Sequence, residues 1–198
     1  MRAAIGLRAH SGWAALVTVA GTPESPSVVD RRRVVLAGPD DPKQPYHEAE
    51  NLGLSRAQEL LRRASHASRR LAARGLAAAI ADAASEGHDV SACGLLLASG
   101  RALPGLAETL ASHALIHTAD GEHFRDALRH AAADVKVPVT AVREKEIWER
   151  ASAELFVPIE KLKRTIALIG KSLGPPWTED QKLATLVAWT ALAAPKAR

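Results

Sequence analysis

The chain has 198 residues, of which 47% are hydrophobic and 24% charged, and this composition excludes a disordered or fibrous protein. A single cysteine, Cys93, excludes an internal disulfide framework and a cysteine-based zinc module. The formal net charge is +4, but residues 1–75 carry 12 basic and 7 acidic side chains, a local balance of +5, so the basic excess belongs to the N-terminal part.

The length predicts one domain spanning residues 1–198, with a core built from Leu, Val, Ile and the 40 alanines rather than from aromatic residues. The apolar stretch at residues 14–20 is too short to span a membrane. We therefore expect a soluble, cytoplasmic protein with no membrane partner.

The first 51 residues predict three strands followed by a loop. Two apolar, β-prone segments flank Ser11–Gly12, which predicts an antiparallel hairpin with a tight turn. A third strand is predicted over residues 28–36, because Val pairs bracket three arginines there. Residues 38–51 contain three prolines and several acidic residues, so they predict a connecting loop.

Helices and strands alternate in the remainder of the chain. Ser55 is a predicted N-cap for a long helix that reaches about Ala84, because apolar residues recur there at helical spacing. The next predicted elements are a buried strand over 90–100, a mostly helical segment over 103–133 with a break near Asp120–Gly121, a buried strand over 137–142, a helix over 155–171 and a last helix capped by Thr178. This order predicts an α/β fold with a mixed five-stranded sheet.

The same order resembles the ribonuclease H-like fold, and the C-terminal third resembles its Holliday-junction resolvase branch. In that branch a strand is followed by a helix, a short Gly/Pro loop and a final alanine-rich helix. The corresponding segments here are "VPVTAV", "IEKLKRTIALIGKSLG" and "EDQKLATLVAWTAL". The resemblance implies a ribonuclease H-like mixed five-stranded sheet with flanking helices.

The resemblance also implies where a two-metal nuclease site would lie. Such enzymes hold two divalent metals with carboxylates on the first strand, on the strand after the first long helix, and on the last helix. Here the carboxylate position expected on the first strand falls on Arg8 or Ala9, and the segment "CGLLLASG" has no acid. On the last helix, Asp180 matches the first expected carboxylate, but the second expected position falls near Leu183. We therefore predict a binding or interaction module without an intact two-metal site, with nucleic acid as the candidate partner.

The alternative function is a metal-dependent phosphodiesterase or nuclease with a rearranged site. Its catalytic candidates are Asp180, Glu122 and Asp120, and a divalent metal is the cofactor only under this alternative. His113 and His117 lie four residues apart on one predicted helical face, so they are candidate metal ligands. Ordinary surface histidines on an alanine-rich helix, and a purely structural or oligomeric protein, remain open as well.

A basic stripe follows the first long helix. Arg56, Arg63 and Arg70 repeat every seven residues, and Arg62 and Arg69 flank them, so these five are candidate nucleic-acid-binding residues. The alternative is a solvated helix face, because no aromatic residue is interleaved for base stacking.

A further candidate is an anion site at Ser11 and Gly12. Actin-like phosphotransferases share the fold that the chain resembles and bind a phosphate in the turn between the first two strands. The backbone N–H groups of such a turn suit an anion. The alternative is a simple hairpin turn with Trp13 packed on the sheet edge.

Overall fold

A mixed sheet of five strands forms the centre of the computed structural model, which describes residues 1–98 and 102–194. The strands are β1 (Arg2–His10), β2 (Trp13–Thr22), β3 (Ser25–Val35), β4 (Asp89–Leu97) and β5 (Val139–Arg143). Their order across the sheet is β3-β2-β1-β4-β5. β1 and β3 pair antiparallel with β2, whereas β4 pairs parallel with both β1 and β5. The predicted mixed five-stranded sheet is confirmed.

Helices cover both faces of this sheet. They are α1 (Pro45–Ala49), α2 (Leu54–Ser85), α3 (Leu106–Leu110), α4 (His113–Asp134), α5 (Ile147–Leu155), α6 (Ile159–Leu173) and α7 (Glu179–Ala193), with one 3₁₀ turn at Glu144–Glu146. α2 and α4 pack on one face, and α7 and α5 pack on the other. Among the described helices, none combines the length and the apolar character needed to cross a bilayer.

The alternation of side chains along β1 decides which residues meet which helices. Ile5 and Leu7 are buried against α2 and α4, whereas Ala4 is buried against α7. Gly6 also faces α7, so closely that a Cβ there would overlap the carbonyl oxygen of Ala184. The next residue on that face is Arg8. The close seating of α7 therefore brings the start of that helix beside the end of β1.

One helix break was predicted in the wrong place. α4 runs without interruption through Asp120–Gly121, and the break lies earlier, at residues 111–112 between α3 and α4. A glycine inside a helix costs only about 1 kcal/mol relative to alanine. The burial of Phe124 and Leu128 from the same helix outweighs that cost.

Other boundaries differ by a few residues. The N-cap of α2 is Gly53 rather than Ser55, and the predicted loop over 38–51 contains the short helix α1. The predicted strand over 90–100 corresponds to β4, and residues 99 and 100 lie outside the described residues. Thr178 caps α7 through a reciprocal capping box with Gln181, as predicted for the cap.

Candidate functional site

Three elements meet at one end of the sheet around the guanidinium of Arg8. Its Nε and Nη2 donate to the two carboxylate oxygens of Glu144, at 2.9 and 2.7 Å. Its Nη1 donates to Oδ1 of Asp180. We call Arg8, His10, Glu144 and Asp180 the Arg8 cluster. One cation thus bridges two carboxylates that come from different parts of the chain.

The topology explains this convergence. β1 and β5 both run parallel to β4, so their carboxyl ends lie at the same edge of the sheet, and Glu144 directly follows β5. Asp180 lies in the first turn of α7, where the helix dipole favours a carboxylate. The edge therefore collects two acidic groups, of which the resemblance implied only Asp180, and Arg8 lies between them.

A layered stack continues outward from the Arg8 cluster. Nε2 of His10 lies 2.8 Å from Oδ1 of Asp180, and the imidazole stacks on Trp13 with ring centroids 4.4 Å apart and planes inclined by 13°. The guanidinium of Arg33 lies over the same indole, with its Cζ 4.1 Å from the ring centroid. Arg33 is exposed, so this stack presents a cation to solvent beside the half-buried indole of Trp13.

Electrostatics favour the charged form of Arg8. Hydrogen bonding to Glu144 raises the pKa of Arg8, and Asp180 acts in the same direction, while partial burial opposes both. Arg8 brings one positive charge to the two carboxylates of Glu144 and Asp180. The guanidinium therefore offsets one of the two carboxylate charges.

The other two predicted catalytic acids lie elsewhere. Asp120 and Glu122 belong to α4, which packs on the opposite face of the sheet from α7 and Asp180. Glu122 pairs with Arg125 at 3.0 Å and with Arg129 at 3.6 Å. The structure therefore does not bring the three acids together into one site.

Asp120 instead belongs to a second cluster, at the start of α4. Only 4% exposed, it accepts hydrogen bonds from the backbone N–H of Tyr46, at 2.7 Å, and from Nδ1 of His47, at 2.5 Å. The ring of His47 lies close to His113 and His117, with centroids 5.3 and 4.4 Å away. We call His47, His113 and His117 the three-histidine cluster.

The three-histidine cluster contains both predicted metal ligands and one histidine that the sequence did not indicate. His47 lies in α1, 66 residues before His113, and local periodicity carries no information about such a contact. Glu144 was missed in the same way. Its position directly after a predicted buried strand was the one signal that could have found it.

The predicted basic stripe is exposed along α2, but its members differ in their partners. Arg62 and Arg63 both pair with Glu59, and Arg69 pairs with Asp126 on α4. Arg56 and Arg70 are exposed and have no acidic side chain within 4.0 Å among the described residues. These two arginines keep their charge available to a ligand.

The hairpin turn forms as predicted. Gly12 has φ of +80°, a left-handed conformation that favours glycine, and its carbonyl accepts hydrogen bonds from the N–H groups of Leu36 and Ala37. The side chain of Lys43 lies beside Gly12, with Cγ 3.2 Å from where a Cβ would stand. Anion binding at Ser11 and Gly12 stays a prediction.

Comparisons with known proteins give a structural match but no sequence match. Neither a protein-family model nor a curated protein matches this chain. RuvC of Thermus thermophilus, in a structure with a Holliday junction substrate, is similar at a TM-score of 0.50, with 14% identity over 96% of this chain and 92% of RuvC. Another structure of Thermus thermophilus RuvC gives a TM-score of 0.50, with 15% identity over 95% of this chain and 92% of that one.

Both matches extend over at least 95% of this chain. The resemblance that the sequence indicated is therefore confirmed at the level of fold. The chain has the ribonuclease H-like fold in the arrangement of the Holliday junction resolvase RuvC.

Proposed function

We propose that this chain is a nucleic-acid-binding module of the ribonuclease H-like fold that does not cleave by the two-metal route. The observation that carries the proposal is the position of Arg8, which holds Glu144 and Asp180 at the edge where the fold family collects its metal-binding carboxylates. A guanidinium here takes the place between the carboxylates where a divalent cation would otherwise bind, and it offsets one of their two charges.

Charge arithmetic supports the loss of two-metal cleavage. Two hard cations need several charged oxygen ligands, and the Arg8 cluster offers two carboxylates against one fixed positive charge. The last five residues of β4, Cys93 to Leu97, contribute no carboxylate. A divalent cation would have to displace Arg8 and then bind with too few charged ligands.

The placement of cationic side chains supports a nucleic-acid partner. α2 has 32 residues and is about 48 Å long, whereas β4 has nine and is about 30 Å long. Only residues 86–88 join them, so the first turns of α2, which carry Arg56, project beyond the sheet at the carboxyl end of β1 and β4. The stack of Arg33 on Trp13 lies at that same end, on the face of the sheet that α7 covers.

These groups suit a phosphate backbone with no sequence preference. Arg56, Arg70 and Arg33 supply charge without a competing acidic partner among the described residues, and the edge of the Trp13 indole offers an apolar contact for a base or sugar. RuvC, whose fold the chain shares, has a Holliday junction as its substrate. From this similarity we transfer to the present chain only the class of ligand, which is nucleic acid.

Binding to single-stranded, duplex and branched DNA across a salt series tests the ligand. We expect binding that weakens steeply with salt. The double variant Arg56→Ala/Arg70→Ala should reduce the slope of log K against log salt for duplex DNA by about 1.8, because each phosphate contact contributes about 0.9. The matched control is Arg143→Ala/Arg150→Ala, which removes the same charge from arginines already paired with Glu146 and Glu154.

Two outcomes would contradict the proposal. The first is an absence of binding to all three DNA forms at low salt. The second is cleavage of branched DNA in Mg²⁺ or Mn²⁺ by the purified chain that Asp180→Asn abolishes, since that result would make the carboxylates a working metal site.

A further inference from the structure

The three-histidine cluster brings imidazole nitrogens from two helices within reach of one metal ion. Nε2 of His113 and Nε2 of His117 lie 3.1 Å apart, one turn of α4 from each other. One nitrogen from each of the three histidines lies within 4.8 Å of the other two. Two ligands of a tetrahedral Zn²⁺ with Zn–N bonds of about 2.0–2.1 Å are separated by about 3.3–3.4 Å. The first pair is already at nearly that separation.

His47 is held in the orientation that a metal ligand needs. Its Nδ1 is occupied by the carboxylate of Asp120, which leaves Nε2 as the nitrogen free to bind a cation. Asp120 is itself fixed, because it is buried and accepts the N–H of Tyr46. A carboxylate behind a ligating histidine is the usual second layer of a zinc site, where it sets the tautomer and raises the basicity of the ligand.

The ligands are also accessible. His113 and His117 are exposed, and His47 lines an open groove of about 520 Å³ beside residues 39–44 and Glu48. An ion can therefore enter without local unfolding. Three histidines leave one tetrahedral position to water or to a small anion.

We propose that His47, His113 and His117 form a Zn²⁺ site with one open coordination position, oriented by Asp120. Imidazole nitrogen selects Zn²⁺ and neighbouring transition metals over Mg²⁺ and Ca²⁺, which prefer oxygen. The site joins α1 to the first turns of α4, so the bound ion cross-links these two helices. It lies on the opposite face of the sheet from the Arg8 cluster and does not depend on the proposed nucleic-acid function.

The test is a titration of the chelator-treated full chain with Zn²⁺ alone, followed by competition with a chromophoric chelator. We expect one Zn²⁺ per chain and a rise in Tm when Zn²⁺ is added. Replacement of Zn²⁺ by Co²⁺ reports the geometry, because tetrahedral Co²⁺ absorbs visible light far more strongly than octahedral Co²⁺.

Three variants separate the site from nonspecific binding. His113→Ala/His117→Ala removes two exposed ligands and should lower the affinity for Zn²⁺ by more than 100-fold. Asp120→Asn keeps an oxygen for the N–H of Tyr46 but loses the charge behind His47, so a loss of about 10- to 100-fold is expected. The control His66→Ala/His130→Ala removes two exposed histidines elsewhere and should bind Zn²⁺ as the parent does.

The proposal is overturned if the parent chain binds no Zn²⁺ at equimolar concentration. It is also overturned if His113→Ala/His117→Ala keeps an affinity within threefold of the parent, or if the control variant loses as much affinity as the ligand variant. Circular dichroism of each variant in chelator shows whether its fold is intact. His47→Gln provides a second ligand variant that leaves α4 untouched.

Discussion

Two polar clusters lie at the same end of the sheet but on opposite faces, and they differ in what lies at their centre. In the Arg8 cluster, a guanidinium bridges two carboxylates, so the oxygen ligands already have a cation. In the three-histidine cluster, imidazole nitrogens converge and a buried carboxylate supports one of them from behind. The first arrangement disfavours Mg²⁺ or Mn²⁺, whereas the second suits Zn²⁺.

The comparison shows that one side chain can decide which ions suit the carboxyl edge of the sheet, because Arg8 already gives Glu144 and Asp180 a cation. Glu144 and Asp180 still reach that edge because β5 and α7 are fixed by packing that does not depend on Arg8. Each cluster can be perturbed separately, because they share no residue.

The largest expected effect comes from the packing that supports the Arg8 cluster. Gly6→Ala would place a methyl group against the carbonyl oxygen of Ala184, which lies one turn after Asp180 on α7, so α7 must shift from the sheet. We expect the free energy of unfolding to fall by about 3 kcal/mol. Urea unfolding followed by circular dichroism measures it.

The matched control for this prediction is Gly53→Ala, at a helix N-cap with no atom within 4 Å of an added Cβ. Its loss should stay below about 1 kcal/mol. Equal losses in the two variants would show that α7 is not seated against the backbone of β1.

A smaller effect is expected when the bridging cation is removed. Arg8→Ala leaves the carboxylates of Glu144 and Asp180 close together without a guanidinium between them. We expect a loss of about 1–2 kcal/mol in the free energy of unfolding, because both carboxylates keep some contact with solvent.

For comparison, Arg150→Ala removes an exposed pair with Glu154 and should change the free energy of unfolding by no more than about 0.5 kcal/mol. The loss in Arg8→Ala should shrink when Glu144→Gln and Asp180→Asn are added. If the carboxamides leave the loss unchanged, Arg8 does not act by neutralising the carboxylates.

The smallest effect concerns a histidine that belongs to neither cluster. His123 lies on α4 near Ser68, with its Nε2 3.0 Å from the hydroxyl, and burial lowers the pKa of His123. The unfolded chain therefore binds a proton at a higher pH than the folded chain does. Stability must fall as the pH is lowered from about 6.5 toward the folded pKa of His123.

His123→Gln should flatten this fall, which urea unfolding at pH 7.5, 6.5 and 5.5 measures. The exposed His66→Gln serves as the reference and should keep the pH profile of the parent. A profile that stays as steep in His123→Gln would assign the pH dependence to other groups.

Much of the fold could be predicted from the sequence because its signals are local. The Ser11–Gly12 turn, the apolar run of β4 and the Thr178 cap each depend on a few adjacent residues. The break between α3 and α4 could not be predicted as easily. Gly121 favours a break at that position, so the sequence predicts the break there. Tertiary packing, which the sequence does not show, keeps α4 continuous through Gly121.

The clusters were only partly predictable, since each depends on residues far apart in the chain. Resemblance to a fold family pointed to Asp180 and to an absent acid at Arg8 or Ala9, and helical spacing pointed to His113 and His117. Glu144 follows Arg8 by 136 residues, and His47 precedes His113 by 66 residues. Each joins its cluster only because the fold brings these distant segments of the chain together. Asp120, a predicted catalytic acid, has a supporting position behind His47.

The most direct test of the central claim, that Arg8 occupies the place of a cation, is a calorimetric titration with Mn²⁺. Both chains in this comparison carry His113→Ala/His117→Ala, which removes the histidine ligands, and one of them also carries Arg8→Asp. Any difference in Mn²⁺ binding then comes from the Arg8 cluster. We predict that Arg8→Asp gains a Mn²⁺ site at least tenfold tighter than any in its parent, and that adding Asp180→Asn removes the gain. The claim would be contradicted if the parent, with Arg8 intact, bound Mn²⁺ as tightly as the Arg8→Asp chain and lost that binding when Asp180→Asn was added.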